Sequence, residues 1–138
     1  IATLDDGNFY VKDALMLHQK GSGPDLKFIL ALINSKLLNY WYAQKFHVLS
    51  VAKNAILQLP IHRVDLNNLA EKKRHDDLVA RVDKMLELDK RLAPIRDTPC
   101  NERDELLREI NRTDSEIDNL VYDLYRLTEE ERKIVEES

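Results

Sequence analysis

The side chains here that could do chemistry are four histidines, one cysteine and a ladder of carboxylates, and their spacing does not suit catalysis. His18, His47, His62 and His75 are scattered, and no pair of them stands at metal-ligand spacing with Cys100. Cys100 falls in a connector with no base nearby in sequence, so nothing local would activate its thiol. Asp76, Asp77, Asp83, Glu87 and Asp89 mostly interleave with Lys and Arg at helical spacing, the pattern of a solvated, ion-paired face. There is no glycine-rich phosphate loop. The expectation is a chain with no catalytic residue, no metal ligand and no cofactor of its own.

Binding chemistry is better supported. The net charge of −4 argues at first against nucleic acid, but its distribution is uneven. Residues 1–68 carry seven Lys/Arg and five Asp/Glu, whereas residues 69–138 carry fourteen and twenty. Between Asp25 and Asp65 there is no acidic residue, and that window holds Lys27, Lys36, Lys45, Lys53 and Arg63. Such a segment in an acid-rich chain points to an anionic partner. The run Tyr40-Trp41-Tyr42 lies within it, and three consecutive aromatics cannot share one helical face, so at least one is expected outside the core. The donors Gln44, Lys45, His47, Ser50, Lys53 and Asn54 follow directly and suit phosphates and base edges. The candidate DNA-contacting set is therefore Lys27, Lys36, Gln44, Lys45, His47, Ser50, Lys53, Asn54 and Arg63, with double-stranded DNA as the partner.

The elements that must hold these residues are mostly helical, since only three Gly and four Pro occur in 138 residues. Asp6-Gly7 between apolar positions is a hairpin signal, which predicts strands near Ala2–Leu4 and Phe9–Val11, with another over Ala14–His18. Pro24 suits the first position of a helix running to about Tyr42, with Leu26, Ile29, Leu30, Ile33, Leu37 and Trp41 as its apolar stripe. Asn34-Ser35-Lys36 interrupts that stripe with three polar residues. Gln58-Leu59-Pro60-Ile61 reads as an extended strap, because Pro60 pushes Leu59 away from helix. Helices are expected over Asn67–Ala93 and Glu102–Leu127, the second carrying a heptad-like stripe of Leu106, Ile110, Thr113, Ile117, Leu120, Leu124 and Leu127. One stripe on each, with a short connector between, predicts an antiparallel hairpin. Thr128-Glu129-Glu130-Glu131 is a capping box opening a last short helix. The expected fold class is α+β, mostly helical: a small β-hairpin or sheet and a buried helix in a subdomain over 1–66, then a helical hairpin arm over 67–138.

The run Phe28-Ile29-Leu30-Ala31-Leu32-Ile33-Asn34-Ser35-Lys36-Leu37-Leu38-Asn39-Tyr40 resembles a signature helix of the TaqI-like C-terminal specificity domain of N6-adenine DNA methyltransferases. Gln58-Leu59-Pro60-Ile61 is similar to that family's strap, and Arg74-His75-Asp76-Asp77-Leu78-Val79 with Met85-Leu86-Glu87-Leu88 to the start of its helical hairpin. Residues from Ile117-Asp118-Asn119-Leu120-Val121-Tyr122 through Leu127-Thr128-Glu129-Glu130-Glu131 resemble its ending. Four motifs in order are more specific than any one. The resemblance implies a target-recognition module of a methyltransferase or Type IIG restriction–modification enzyme. It also implies S-adenosylmethionine and the catalytic Asn-Pro-Pro-Tyr motif in an upstream domain of the same polypeptide.

Two alternatives remain open at this point. The acidic hairpin could be a partner-docking or dimerisation module, or the chain could be a piece of a Type I restriction specificity subunit. The chain opens on Ile1 rather than Met, which leads us to expect a fragment of something longer. With no signal peptide, no apolar run long enough for a membrane span and a single cysteine, a cytoplasmic protein is expected.

Overall fold

The computed structural model describes residues 2–4, 17, 21–47 and 53–138. Among these the chain forms six α-helices and no strand, which overturns the expected α+β class. Ala2–Leu4 is irregular rather than a strand. The Asn34 side chain takes the place a neighbouring strand would hold: its Oδ1 accepts the Ala2 N–H at 2.7 Å, and its Nδ2 donates to the Ala2 carbonyl at 2.8 Å. The expected Asp6-Gly7 turn and the Phe9–Val11 strand lie outside the described residues. So does the Ala14–His18 strand apart from Leu17, which is irregular.

The expected single helix over Pro24–Tyr42 is two helices, α1 (Leu26–Asn34) and α2 (Lys36–Lys45). Pro24 lies just outside the first. Asp25 is the cap, its carboxylate accepting the Lys27 N–H at 2.8 Å. The break falls on Ser35, which is buried with extended backbone, φ −66° and ψ 150°. Its hydroxyl donates to the Leu32 carbonyl at 2.7 Å and accepts the Leu38 N–H at 3.3 Å. One side chain thus ends α1 and starts α2, satisfying backbone groups that a broken helix would leave orphaned.

After a single turn, α3 (Lys53–Ile56), the chain runs irregularly through the strap to Asn68, whose side chain accepts from the Ala70 and Glu71 N–H groups and caps α4 (Leu69–Leu92). A 3-10 turn (Ala93–Ile95) and a short connector lead to α5 (Asn101–Leu124), and Thr128 opens α6 (Glu129–Glu137) with the expected capping box. The ion pairs Arg81–Glu116 (2.8 Å), Lys84–Glu109 (3.2 Å) and Arg91–Glu102 (3.9 Å) join α4 to α5, numbers rising on one helix as they fall on the other. That order establishes the antiparallel hairpin. The pairs are exposed and add little stability, about 0–1 kcal/mol each.

Apolar burial holds the assembly together. Phe28, Ala31 and Leu32 of α1 and Leu38 of α2 pack with Leu78, Val82, Ile117, Val121 and Leu124 of the hairpin in one core. A second, smaller cluster of Leu88, Leu92 and Leu106 closes the far end of the hairpin. Thr113, between the two on α5, is fully buried, and its hydroxyl finds no hydrogen-bond partner among the described residues. Thr113→Val keeps the shape and removes that unmet polar group, so urea unfolding should show a gain of about 1–2 kcal/mol. A midpoint at or below wild type would mean the hydroxyl is satisfied.

Candidate nucleic-acid interface

The fold sorts the nine candidate residues into groups with different surroundings. Lys27, at the start of α1, forms an ion pair with Asp83 on α4. Lys36 opens α2: its Nζ lies 2.7 Å from Glu136 on α6, and its backbone N–H donates to Asp118 on α5 at 2.9 Å. Both lysines bridge helices, and Asp83 and Glu136 hold their pKa values above the usual range. Of the five cations in the acid-free window, Lys27 and Lys36 thus have carboxylate partners, which leaves Lys45, Lys53 and Arg63.

Those three are exposed and form no carboxylate ion pair among the described residues. Lys45, in the last turn of α2, lies with its ammonium 4.8 Å from the centre of the Trp41 ring and 5.8 Å from that of Phe46. This is a cation–π arrangement that fixes the charge at the end of the helix. Phe46 meets Trp41 edge-on at 6.1 Å and Tyr42 at 5.0 Å. Tyr40, Trp41 and Tyr42 are all half-buried, so the aromatic run is shared between packing and surface, with no member wholly in the core. Gln44, His47 and Asn54 are exposed, and the Asn54 carbonyl accepts from the Gln58 side chain at 3.2 Å. Ser50 lies outside the described residues.

Arg63 is placed by the strap. Tyr125, in the turn after α5, donates its hydroxyl proton to the Pro60 carbonyl at 2.5 Å and accepts the His62 N–H at 3.0 Å. Its ring meets the His62 imidazole edge-on at 5.8 Å. Burial pushes the Tyr125 hydroxyl pKa up, so it remains a donor throughout the neutral range.

Three joint-forming residues carry more of the architecture than their sequence context suggested. His75, buried on α4, accepts the Asp25 N–H on Nε2 at 3.1 Å, lies 3.0 Å from Asp76 through Nδ1, and stacks on Phe28 at 5.0 Å. The accepting Nε2 places the ring proton on Nδ1, facing Asp76. Lys72, and then His75, hold the Asp76 carboxyl below the ordinary range. Asp118 and Tyr125 are the other two. Asp118 stands next to Ile117 and three residues before Val121, and an acid set into an apolar face is a signal that a partner is waiting.

No group of three or more His, Cys, Asp or Glu side chains comes together as a metal site among the described residues, and none of their helices is long and apolar enough to cross a membrane. No family model, curated protein or solved structure matches the chain.

Proposed function

We propose that this chain is the DNA target-recognition module of an adenine-specific DNA methyltransferase or a Type IIG restriction–modification enzyme. The observation that carries the reading is the set Lys45, Lys53 and Arg63: exposed cations without a carboxylate partner among the described residues, in a stretch with no acidic residue from Leu26 to Val64. The four family-like motifs add to it. They meet as joints of one scaffold: Lys36 against Asp118, the strap against Tyr125, and His75 against Phe28. In this reading Gln44, His47 and Asn54 face base edges, while S-adenosylmethionine and the methyl-transfer chemistry belong to an upstream domain. The hairpin stripe is taken up against α1 and within the hairpin itself, which favours DNA over dimerisation through that stripe.

The test is duplex binding by fluorescence anisotropy across a salt series. Three phosphate contacts predict that log K falls with log salt at a slope of about −2.7, against about −4.5 for all five cations. Lys53→Glu should weaken binding by roughly tenfold near 0.1 M salt and flatten the slope by about one. A slope near zero for the wild-type chain would overturn the reading. A Lys53→Glu variant with wild-type affinity would remove Lys53 from the contact set.

A further inference from the structure

Asp118 on α5 is only 3% exposed. Its Oδ1 accepts the Lys36 N–H, whereas its Oδ2 is enclosed without a hydrogen bond among the described residues. The cation beside Oδ2 is the Lys36 ammonium at 3.9 Å, which lies closer to Glu136 of α6, at 2.7 Å. The other Glu136 oxygen accepts the Tyr122 hydroxyl proton at 2.6 Å. Two carboxylates, one from α5 and one from α6, therefore share a single ammonium from α2. Asp114, one turn earlier on α5, adds a further negative charge. Among the nine residues of the helix that supplies Glu136 only Val135 is buried, and polar ties hold it besides: Arg132 pairs with Asp123 at 2.7 Å and lies 5.7 Å from the centre of the Tyr122 ring. The turn before it contains Arg126 at φ 57°, a left-handed conformation uncommon outside glycine.

We propose that α6 is a proton-linked cover over Asp118, seated while that carboxyl is protonated and opening more often once it ionises, because opening lets water reach the enclosed oxygen. Burial pushes the Asp118 pKa up to about 6, against the lowering effect of the Lys36 N–H. Opened to water, the carboxyl returns to about 3.9. The closed form then binds more protons than the open form between about pH 4 and 6, so raising pH through that window favours opening. Glu136 works in the opposite sense and in a lower range. Lys36 first, then Tyr122, depress its pKa, so its hold on α6 is lost only as pH falls below the ordinary carboxylate range. Lys36 stays charged throughout, because Glu136 raises its pKa, and Tyr122 stays protonated, because burial and then Glu136 raise its own.

Amide exchange of α6 in the whole chain, normalised to unstructured-peptide rates between pH 4.5 and 7.5, tests this. The α6 opening constant should rise by roughly tenfold in the wild type and show no rise in Asp118→Asn, which keeps the acceptor for the Lys36 N–H. A flat wild-type profile, or the same rise in the variant, would overturn the proposal. Should Asp118→Asn fail to fold, the wild-type Asp118 carboxyl carbon shift decides. A midpoint near 6 that tracks α6 opening supports the cover, and a midpoint in the ordinary aspartate range overturns it.

Discussion

Phe28→Ala should destabilise the chain by about 3–5 kcal/mol, read as a lowered urea midpoint at unchanged slope. Phe28 has no exposed surface and belongs to the core that joins α1 to the hairpin. Its ring also backs the His75 imidazole, which accepts the Asp25 N–H at the entry to α1. Truncation would therefore leave a cavity and loosen the group that fixes the start of the helix. Against a typical total of about 5–15 kcal/mol, such a loss brings a domain of this size close to unfolding at ambient temperature. Leu120→Ala is the natural comparison. The sequence stripe makes Leu120 a core position, but the structure leaves it half-buried, so its cost should fall near or below the low end of about 2–5 kcal/mol. A Phe28→Ala midpoint equal to wild type would mean that α1 does not pack on the hairpin as described.

Tyr125→Phe should cost about 0.5–1.5 kcal/mol, through one hydroxyl. That hydroxyl pairs two backbone groups of the strap, the Pro60 carbonyl and the His62 N–H, and the phenylalanine ring would leave both without it. The expected result is a local one: faster exchange of the His62 amide, with protection in the middle of α4 and α5 preserved. Because Arg63 follows His62 directly, the same variant should also weaken duplex binding without touching a cation. Unchanged His62 protection would show that the strap is held by apolar contacts alone.

How much could be read from the residues depended on whether a side chain acts along its own helix or across to another. The hairpin, its antiparallel sense and the Thr128 capping box were legible, because apolar spacing and capping chemistry are local. The Ser35 break was only half visible: the polar triplet stood out, yet Ser in a helix is ordinary, and only burial made its two hydrogen bonds decisive. The Ala2–Leu4 expectation failed because Asn34, distant in sequence, took up the backbone groups of Ala2 that a strand would have paired. The carboxylate partners of Lys27 and Lys36 were invisible for a related reason. A local absence of acids says nothing of Asp83 and Glu136, which arrive from other helices. Of the five cations, Lys45, Lys53 and Arg63 are those left without a carboxylate partner among the described residues.

The hairpin is fastened at two places with a weak seam between them. Each of its helices is 24 residues, about 36 Å long. The main core grips one end, the Leu88–Leu92–Leu106 cluster grips the other, and the unmet Thr113 hydroxyl lies between them on α5. Three buried leucines, with Ile95, Leu107 and Ile110 packed against them, are a smaller clasp than the main core, so the tip around the connector is the end expected to open first. Amide exchange should therefore be faster around the connector than beside the main core.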